Sequence, residues 1–418
     1  MSATLVIGGG VVGATTLLEL ASRGEHATLV EAAHEPGLGA SFANGGMLTP
    51  SMPQPWNTPG VWKHLLGSLF DPHAALKLNL TALPSYGRWG LEFLRNSSPA
   101  RHRRATEAIY LLASYSMKRM DAIERANLIE FDQASAGTMA VFASAASFQY
   151  AVEAAERLAP LGLEFETVSA TGTFGIEPHL AESAHLFTGG IRYPGDRSGD
   201  ARKFTSECIR RSIERGGKLR MGLKAKGVVL KGGQIAGVRT QEGILPAKRV
   251  VICAGAQSPG LLRNLGLRLS VKPVKGYSIT YQLPDHADLP RLPVIDEEMH
   301  AAVVPIGKRI RVVGTAEFAG FDRRLSAARL ANLDRIFARL YPSLVHRTIG
   351  RDRVEWAGLR PMSADGLPFI GASPVNGLYL NTGHGFLGWT MAAGSAALLA
   401  DIMLGHEPVI DPQPYRYR

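Results

Sequence analysis

The chain has 418 residues, 45% of them hydrophobic and 20% charged. That composition is ordinary for a globular protein, and the length is too great for one hydrophobic core, so two domains are expected. Its formal net charge of +10 admits nucleic acid or anionic lipid as partners. The basic clusters Arg101-His102-Arg103-Arg104, Arg210-Arg211 and Arg323-Arg324 are short and lack interleaved aromatics, which favours a solvated basic surface.

The first informative stretch is Val6-Ile7-Gly8-Gly9-Gly10-Val11-Val12-Gly13, with Glu31 some twenty residues on. This is the G-x-G-x-x-G turn of a dinucleotide-binding βαβ unit. Thr4–Ile7 reads as a buried strand, Val11–Arg23 as a helix stopped by Gly24, and Ala27–Glu31 as the second strand. Gly8 permits the tight turn. Gly10, with Val11 and Val12 in the first helical turn, brings backbone N–H groups to a pyrophosphate at the positive helix end. Gly13 lets the helix pack closely on the strand. Glu31 can accept hydrogen bonds from a ribose and would repel a 2′-phosphate. The motif predicts an adenine dinucleotide but does not choose between NAD and FAD. The apolar stretch Ala3 to Ala21 contains glycines and Glu19 without a basic leader, so an untargeted protein is expected. Only two cysteines occur, Cys208 in a helical stretch and Cys253 in an apolar strand. They imply no disulfide framework and a reducing, cytoplasmic setting.

Next comes a glycine-rich loop, Pro36 to Gly46, and a proline-rich run, Pro50 to Pro59. Trp62, Leu65, Leu66, Leu69 and Phe70 then fall on one face of an expected helix. Residues 101–130 and 147–161 read as helices, and Gly190 to Asp196 exits a strand. Asp200 is placed to cap a helix running to Arg215, closed by Gly216-Gly217. Lys218–Gly243 suggests two or three short strands around a Gly232-Gly233 turn. The continuous apolar run Arg249 to Cys253 suits a parallel strand buried on both faces. Val271–Gln282 and His300–Glu317 alternate as antiparallel strands do. The end returns to α/β: strand Leu378–Asn381, the turn Gly383-His384-Gly385, and helix Gly388–Leu404.

The expected fold class is therefore α/β, a Rossmann-like parallel sheet domain with an inserted antiparallel-sheet and helix domain of α+β character. The first is assigned to residues 1–60, 195–268 and 348–418, the second to 61–194 and 269–347. Ligands of open α/β sheets lie beyond the carboxyl ends of the strands, here Gly8–Gly13, Gly255 and Gly383–Gly388. The third end enters a helix whose first turn carries no acid. Its free N–H groups favour an anion such as a reduced flavin, although its small residues also serve close packing. No H-E-x-x-H, C-x-x-C, P-loop or G-x-S-x-G pattern occurs, so no metal is expected.

Four further segments carry a resemblance. Phe187-Thr188-Gly189-Gly190-Ile191, Val274-Lys275-Gly276-Tyr277-Ser278, Trp356 to Pro368 (Trp-Ala-Gly-Leu-Arg-Pro-Met-Ser-Ala-Asp-Gly-Leu-Pro) and Leu380 to Thr390 (Leu-Asn-Thr-Gly-His-Gly-Phe-Leu-Gly-Trp-Thr) resemble the bacterial D-amino acid dehydrogenases. These belong to the FAD-dependent D-amino acid oxidase/glycine oxidase superfamily, and the resemblance covers nearly the whole chain. The loop Ser41-Phe42-Ala43-Asn44-Gly45-Gly46 is similar to that family's segment beside the flavin. The resemblance implies non-covalent FAD and oxidation of an amino acid to an imino acid, which hydrolyses to a 2-oxo acid and ammonia. It implies cofactor contacts from Ser41, Asn44, Gly45, Gly46, Ala225, Ala254, Gly255, Gly383, Gly385, Phe386, Leu387 and Gly388, beside the turn and Glu31.

The resemblance also places the carboxylate-binding arginine at Arg360; a planar guanidinium suits that role, while the alternative is a surface ion pair. Tyr277 would add a hydroxyl hydrogen bond, or is an ordinary strand tyrosine. His384 would lie near flavin or substrate and tune the amine proton, or it braces the glycine turn. Hydride transfer from Cα to flavin N5 needs no general base, only positioning. Phe386 is bulkier than the small residue expected in its turn, and a ring aimed at the substrate would shrink the pocket. Small D-amino acids are the leading substrates, with D-hydroxyproline or D-proline dehydrogenation as the near alternative and RNA modification by a flavoprotein as a remote one. The Trp62–Phe70 stripe would dock at the inner membrane face and pass electrons to quinone, or else it packs on its own domain.

Overall fold

The computed structural model describes residues 4–62, 76–79, 81–284, 288–348 and 350–418. Of the apolar stripe expected to begin at Trp62, only Trp62 is described, half exposed; Leu65, Leu66, Leu69 and Phe70 lie outside the described residues.

The chain builds two principal sheets. The first has six strands in the order Phe369–Ala372, Leu378–Thr382, Arg249–Ile252, Thr4–Ile7, Ala27–Val30, Lys218–Arg220. Its pairings are parallel from Leu378–Thr382 to Lys218–Arg220, and only the Phe369–Ala372 edge is antiparallel. The run Arg249–Ile252 pairs on both sides near the centre, and its three aliphatic residues are buried, as its unbroken apolar character requires. Helices Val11–Ser22, Ala201–Glu214 and Ala392–Leu404 pack together against this sheet. Asp200 caps the second of them, accepting from the N–H groups of Arg202 and Lys203. A separate three-stranded antiparallel sheet follows from Gly227–Lys231, Gln234–Thr240 and Gly243–Pro246.

The second large sheet begins Arg353–Ser363, Val271–Gln282, Arg309–Phe318, Ala301–Ile306 and continues through Val294–Asp296 to Thr138–Phe142 and Gly189–Tyr193. One face packs on helix Ala327–Leu340 through Tyr277, Ile279, Tyr281, Ile310 and Val312. The opposite face meets the glycine-rich loop of the first domain. There Ser278 Oγ donates to the Ala43 carbonyl at 2.8 Å, and Arg311 Nη1 donates to the Asn44 carbonyl at 3.1 Å.

Three expectations need correction. Strand Arg353–Ser363 pairs along its length with Val271–Gln282, so the chain leaves the second sheet near Ser363 rather than at residue 348. Helix Pro99–Asn127, assigned to the inserted domain, buries Ala108, Ile109, Leu112, Ala113 and Met120 in the cluster that holds Leu17, Leu398 and Leu399 of the first domain. Its apolar face carried the period but not the identity of its partner. Finally, the last helix begins at Ala392, not Gly388. Residues 388–391 form turns instead, with Met391 N–H donating to the Leu387 carbonyl and Ala392 N–H to that of Trp389.

Candidate active site

The dinucleotide turn is tight for identifiable reasons. Gly8 has φ +116°, and a Cβ there would stand 2.6 Å from the Cys253 carbonyl oxygen of the neighbouring strand end. A Cβ on Gly13 would overlap the Gly8 carbonyl, so the helix rests directly on the turn. Gly10 is the helix N-cap residue, and the Val11 N–H donates to Ser41 Oγ at 3.0 Å. That contact draws the glycine-rich loop onto the positive helix end. Glu31 accepts from the Gly9 N–H at 2.5 Å and from the Ala33 N–H at 2.8 Å. Each oxygen keeps a lone pair for a ribose hydroxyl. Ala225 follows a segment tied to the same strand end, where the Leu223 N–H donates to the Glu31 carbonyl at 2.9 Å.

Around this turn the surface is built for close approach. Asn44 Oδ1 accepts from the Gly46 N–H at 3.0 Å, which fixes the loop, and a Cβ on Gly45 would meet nothing closer than 3.7 Å. Gly255, beyond Ala254, has φ +53° and an equally open face. Gly383 and Gly385 both have positive φ and set His384 between them. The Gly385 N–H donates to the Pro361 carbonyl at 2.9 Å, and His384 bridges Met362, so this turn lies against the strand that carries Arg360.

Arg360 stands on the sheet face turned toward that turn. It pairs with Val274, and its guanidinium lies over Gly276, where any Cβ would overlap it. One N–H, on Nη1, donates to the Thr315 carbonyl at 3.2 Å. The guanidinium carbon sits 5.5 Å from the centre of the Trp56 ring, which in turn stacks on Phe386 at 5.5 Å and 17°. No carboxylate among the described residues pairs with it, and burial lowers its pKa to about 10, so it stays charged at neutral pH. Its edge is therefore free for a substrate carboxylate while its face is held by indole.

His384 is buried, and its Nε2 has no partner among the described residues. Burial alone drives its pKa down to about 3, so the imidazole is neutral across the physiological range. Its Nε2 is a polar atom held ready in a dry setting.

Tyr277 does not join this group. Side chains alternate along a strand, so Tyr277 and Arg360 occupy opposite faces of the paired strands, with Tyr277 opposite Ala357 and Arg360 opposite Val274. Its hydroxyl donates to Glu317 Oε2 at 2.6 Å, and Glu317 also pairs with buried Lys275 at 3.2 Å. The Tyr277 ring is buried against helix Ala327–Leu340.

Three contributors were not visible in the sequence. Trp56 lies in a proline-rich run whose path no periodicity predicts. Gly276 shows its purpose only once it is paired across from Gly358. Thr315 is a β-branched residue at φ +57°, a costly conformation, where the pairing of Arg309–Phe318 with Val271–Gln282 shifts register. The bulge turns its carbonyl to Arg360 and leaves its Oγ1 buried without a partner among the described residues.

Residues 4–402 match the DAO family, FAD dependent oxidoreductase. The chain belongs to this family. It is 38% identical over 406 residues to a D-amino acid dehydrogenase of Agrobacterium fabrum, covering 97% of this chain and 96% of that protein. Among solved structures it is similar to the glycine oxidase of Geobacillus kaustophilus (TM-score 0.76, 23% identity, 100% and 98% of the two chains). It is also similar to the L-proline dehydrogenase of P. horikoshii (TM-score 0.78, 19% identity, 100% and 97% covered). At these identities the two structures establish the fold. The DAO-family cofactor is FAD, and the Gly8 and Gly13 packing, the open faces of Gly45 and Gly255 and the unpartnered His384 Nε2 fit it.

Proposed function

We propose that this chain oxidises D-amino acids to imino acids, which water then converts to 2-oxo acids and ammonia. The observation that carries this reading is Arg360, a charged guanidinium held by indole and one backbone carbonyl, with no acid paired to it among the described residues. Similarity to the Agrobacterium D-amino acid dehydrogenase over nearly the full length of both chains supports it.

Gly8, Gly10, Val11, Val12 and Gly13 would hold the pyrophosphate of FAD, and Glu31 its adenosine ribose. Ser41, Asn44, Gly45, Gly46, Ala225, Ala254, Gly255 and the turn Gly383 to Gly388 would line the remainder. Bound FAD supplies the two-electron acceptor for the hydrogen leaving Cα. Arg360 takes the carboxylate through its free edge and so fixes the direction of the Cα–H bond. The neutral His384 can accept a hydrogen bond at Nε2 without adding charge. The amine nitrogen loses a proton as its lone pair forms the C=N bond, and water then adds to the carbon and releases ammonia.

The test is anaerobic mixing of the yellow protein with D- and L-amino acids in turn. Bleaching by D-amino acids supports the proposal, and bleaching by none of them defeats it. Delivery of the electrons to a quinone, with the protein held at a membrane surface, is the finer part of the proposal. Among the described residues no helix is long and apolar enough to cross a membrane. Air oxidation of the bleached protein much slower than oxidation by a quinone analogue is the expected result.

A further inference from the structure

The residue of the glycine turn that departs from the expected small side chain is Phe386, and its ring forms a layer with Trp56 beside Arg360. Ring centres lie 5.5 Å apart at 17°, and the guanidinium carbon lies 5.5 Å from the indole centre. Both rings are only partly buried and join the cluster of Val274, Phe318 and Met362. Any acid bound to the Arg360 edge therefore places its Cα near this aromatic layer, since one C–C bond separates a carboxylate carbon from Cα. Stacked rings are stiff: each has two side-chain torsions, and each blocks the other from swinging aside. The chain segments behind them are also fixed. The Met362 sulfur lies 3.2 Å from where a Gly385 Cβ would stand, and a Cβ on Gly366 would overlap Pro55, the residue before Trp56.

We infer that Trp56 and Phe386 form a specificity wall, which restricts the acid on Arg360 to compact side chains: one or two carbons, or a chain closed back on the nitrogen as in a cyclic imino acid. This inference rests on the carboxylate role of Arg360 in the proposed function. A rigid wall excludes the longer chain by overlap, while a cyclic or short chain retains contact with the ring faces.

The experiment compares Phe386→Thr and Phe386→Tyr with the unmodified holoenzyme. Two ratios are measured: kcat/KM for D-phenylalanine over D-alanine, and affinity for 3-phenylpropanoate over propanoate, read from the flavin absorption spectrum. Phe386→Thr is expected to raise both ratios by at least about tenfold, the discrimination that a small change in pocket volume supports. Phe386→Tyr keeps the wall and is expected to keep both ratios. Because each is a ratio within one protein, partial unfolding or flavin loss cancels. An unchanged affinity ratio in Phe386→Thr overturns the inference, as does an unmodified enzyme that takes both acids equally well. If no D-amino acid is turned over but the affinity ratio still rises in Phe386→Thr, the proposed function fails and the wall stands.

Discussion

A guanidinium that no acid among the described residues pairs with is a costly thing to keep in a folded chain, and the surroundings of Arg360 show how the cost is contained. Indole covers one face, Gly276 leaves room beneath, and the Thr315 carbonyl takes one N–H. None of these neutralises the charge, as a glutamate would. Arg360→Ala is expected to raise KM for the amino acid by about two orders of magnitude, the worth of a lost bidentate charged pair. Arg360→Lys keeps the charge but not the fork and should recover only part of that loss; steady-state kinetics measures both. His384 gives a stability prediction. The unfolded imidazole titrates near its ordinary 6.5 and the native one near 3. Between these values the unfolded chain binds the extra proton, so stability is full above about pH 6.5 and declines as the pH falls toward 3. A His384→Gln protein should show a shallower fall of Tm over that window. At this scale the sequence was legible where a motif fixed the position, as for Arg360 and His384, which the fold brings to neighbouring segments. It was not legible for Trp56 and Thr315, whose positions depend on loop paths and on a bulge.

Elements decide which side chains meet. The parity of one pairing, Gly276 opposite Gly358, sends Arg360 to the side of Trp56 and Tyr277 to the helix side. Residue type and neighbourhood in sequence leave Tyr277 between a place at the carboxylate and an ordinary strand position, because a one-residue step along a strand reverses the face. The pairing had to be known first. Gly276→Ala would put a methyl into the Arg360 guanidinium. It should raise KM for the amino acid at least about tenfold while the sheet persists by circular dichroism, since overpacking at one point typically costs a few kcal/mol. Gly13→Ala tests the other element junction. Its methyl would overlap the Gly8 carbonyl, so the purified protein should lose most of its 450 nm flavin absorption. Asp196 ties three segments together: it accepts from Ser51 Oγ and from Thr138 Oγ1, each at 2.6 Å, and it lies just past strand Gly189–Tyr193. Burial raises its carboxyl to about 7 against an ordinary 3.8. The native chain thus holds the extra proton between those values, and stability declines as the pH rises toward 7, opposite in sign to His384. Asp196→Asn should flatten that decline in a Tm series from pH 4 to 8.

Over the whole molecule the division into two sheets was legible, because the glycine turns punctuate the parallel strands and the alternating runs mark the antiparallel ones. The allocation of segments between them was less so. Helix Pro99–Asn127 is amphipathic in any domain, and only the packing of its Ala108, Leu112 and Met120 shows which core it completes. Strand Arg353–Ser363 likewise reads as a strand without declaring its sheet. The two domains are joined at the glycine-rich loop by Ser278 and Arg311, and Arg311 also lies 3.8 Å from Asp200, the cap of helix Ala201–Glu214. FAD seated there should stabilise the two domains together. At a hundredfold excess over its Kd, added FAD is expected to contribute about 2.7 kcal/mol, visible as a single thermal transition that moves upward with FAD concentration.

The three glycine turns at the carboxyl ends of the parallel strands also set an order of biosynthesis. Gly8 to Gly13 leave the ribosome early, Gly255 much later and Gly383 to Gly388 later still, yet the strands carrying them are neighbours in the finished sheet. A nascent chain that ends before Leu378 lacks the strand Leu378–Thr382 beside Arg249–Ile252, and with it the turn Gly383 to Gly388. The parallel sheet is therefore completed only after the carboxyl-terminal segment is made, and a chain truncated before Leu378 is expected to retain no flavin absorption on purification.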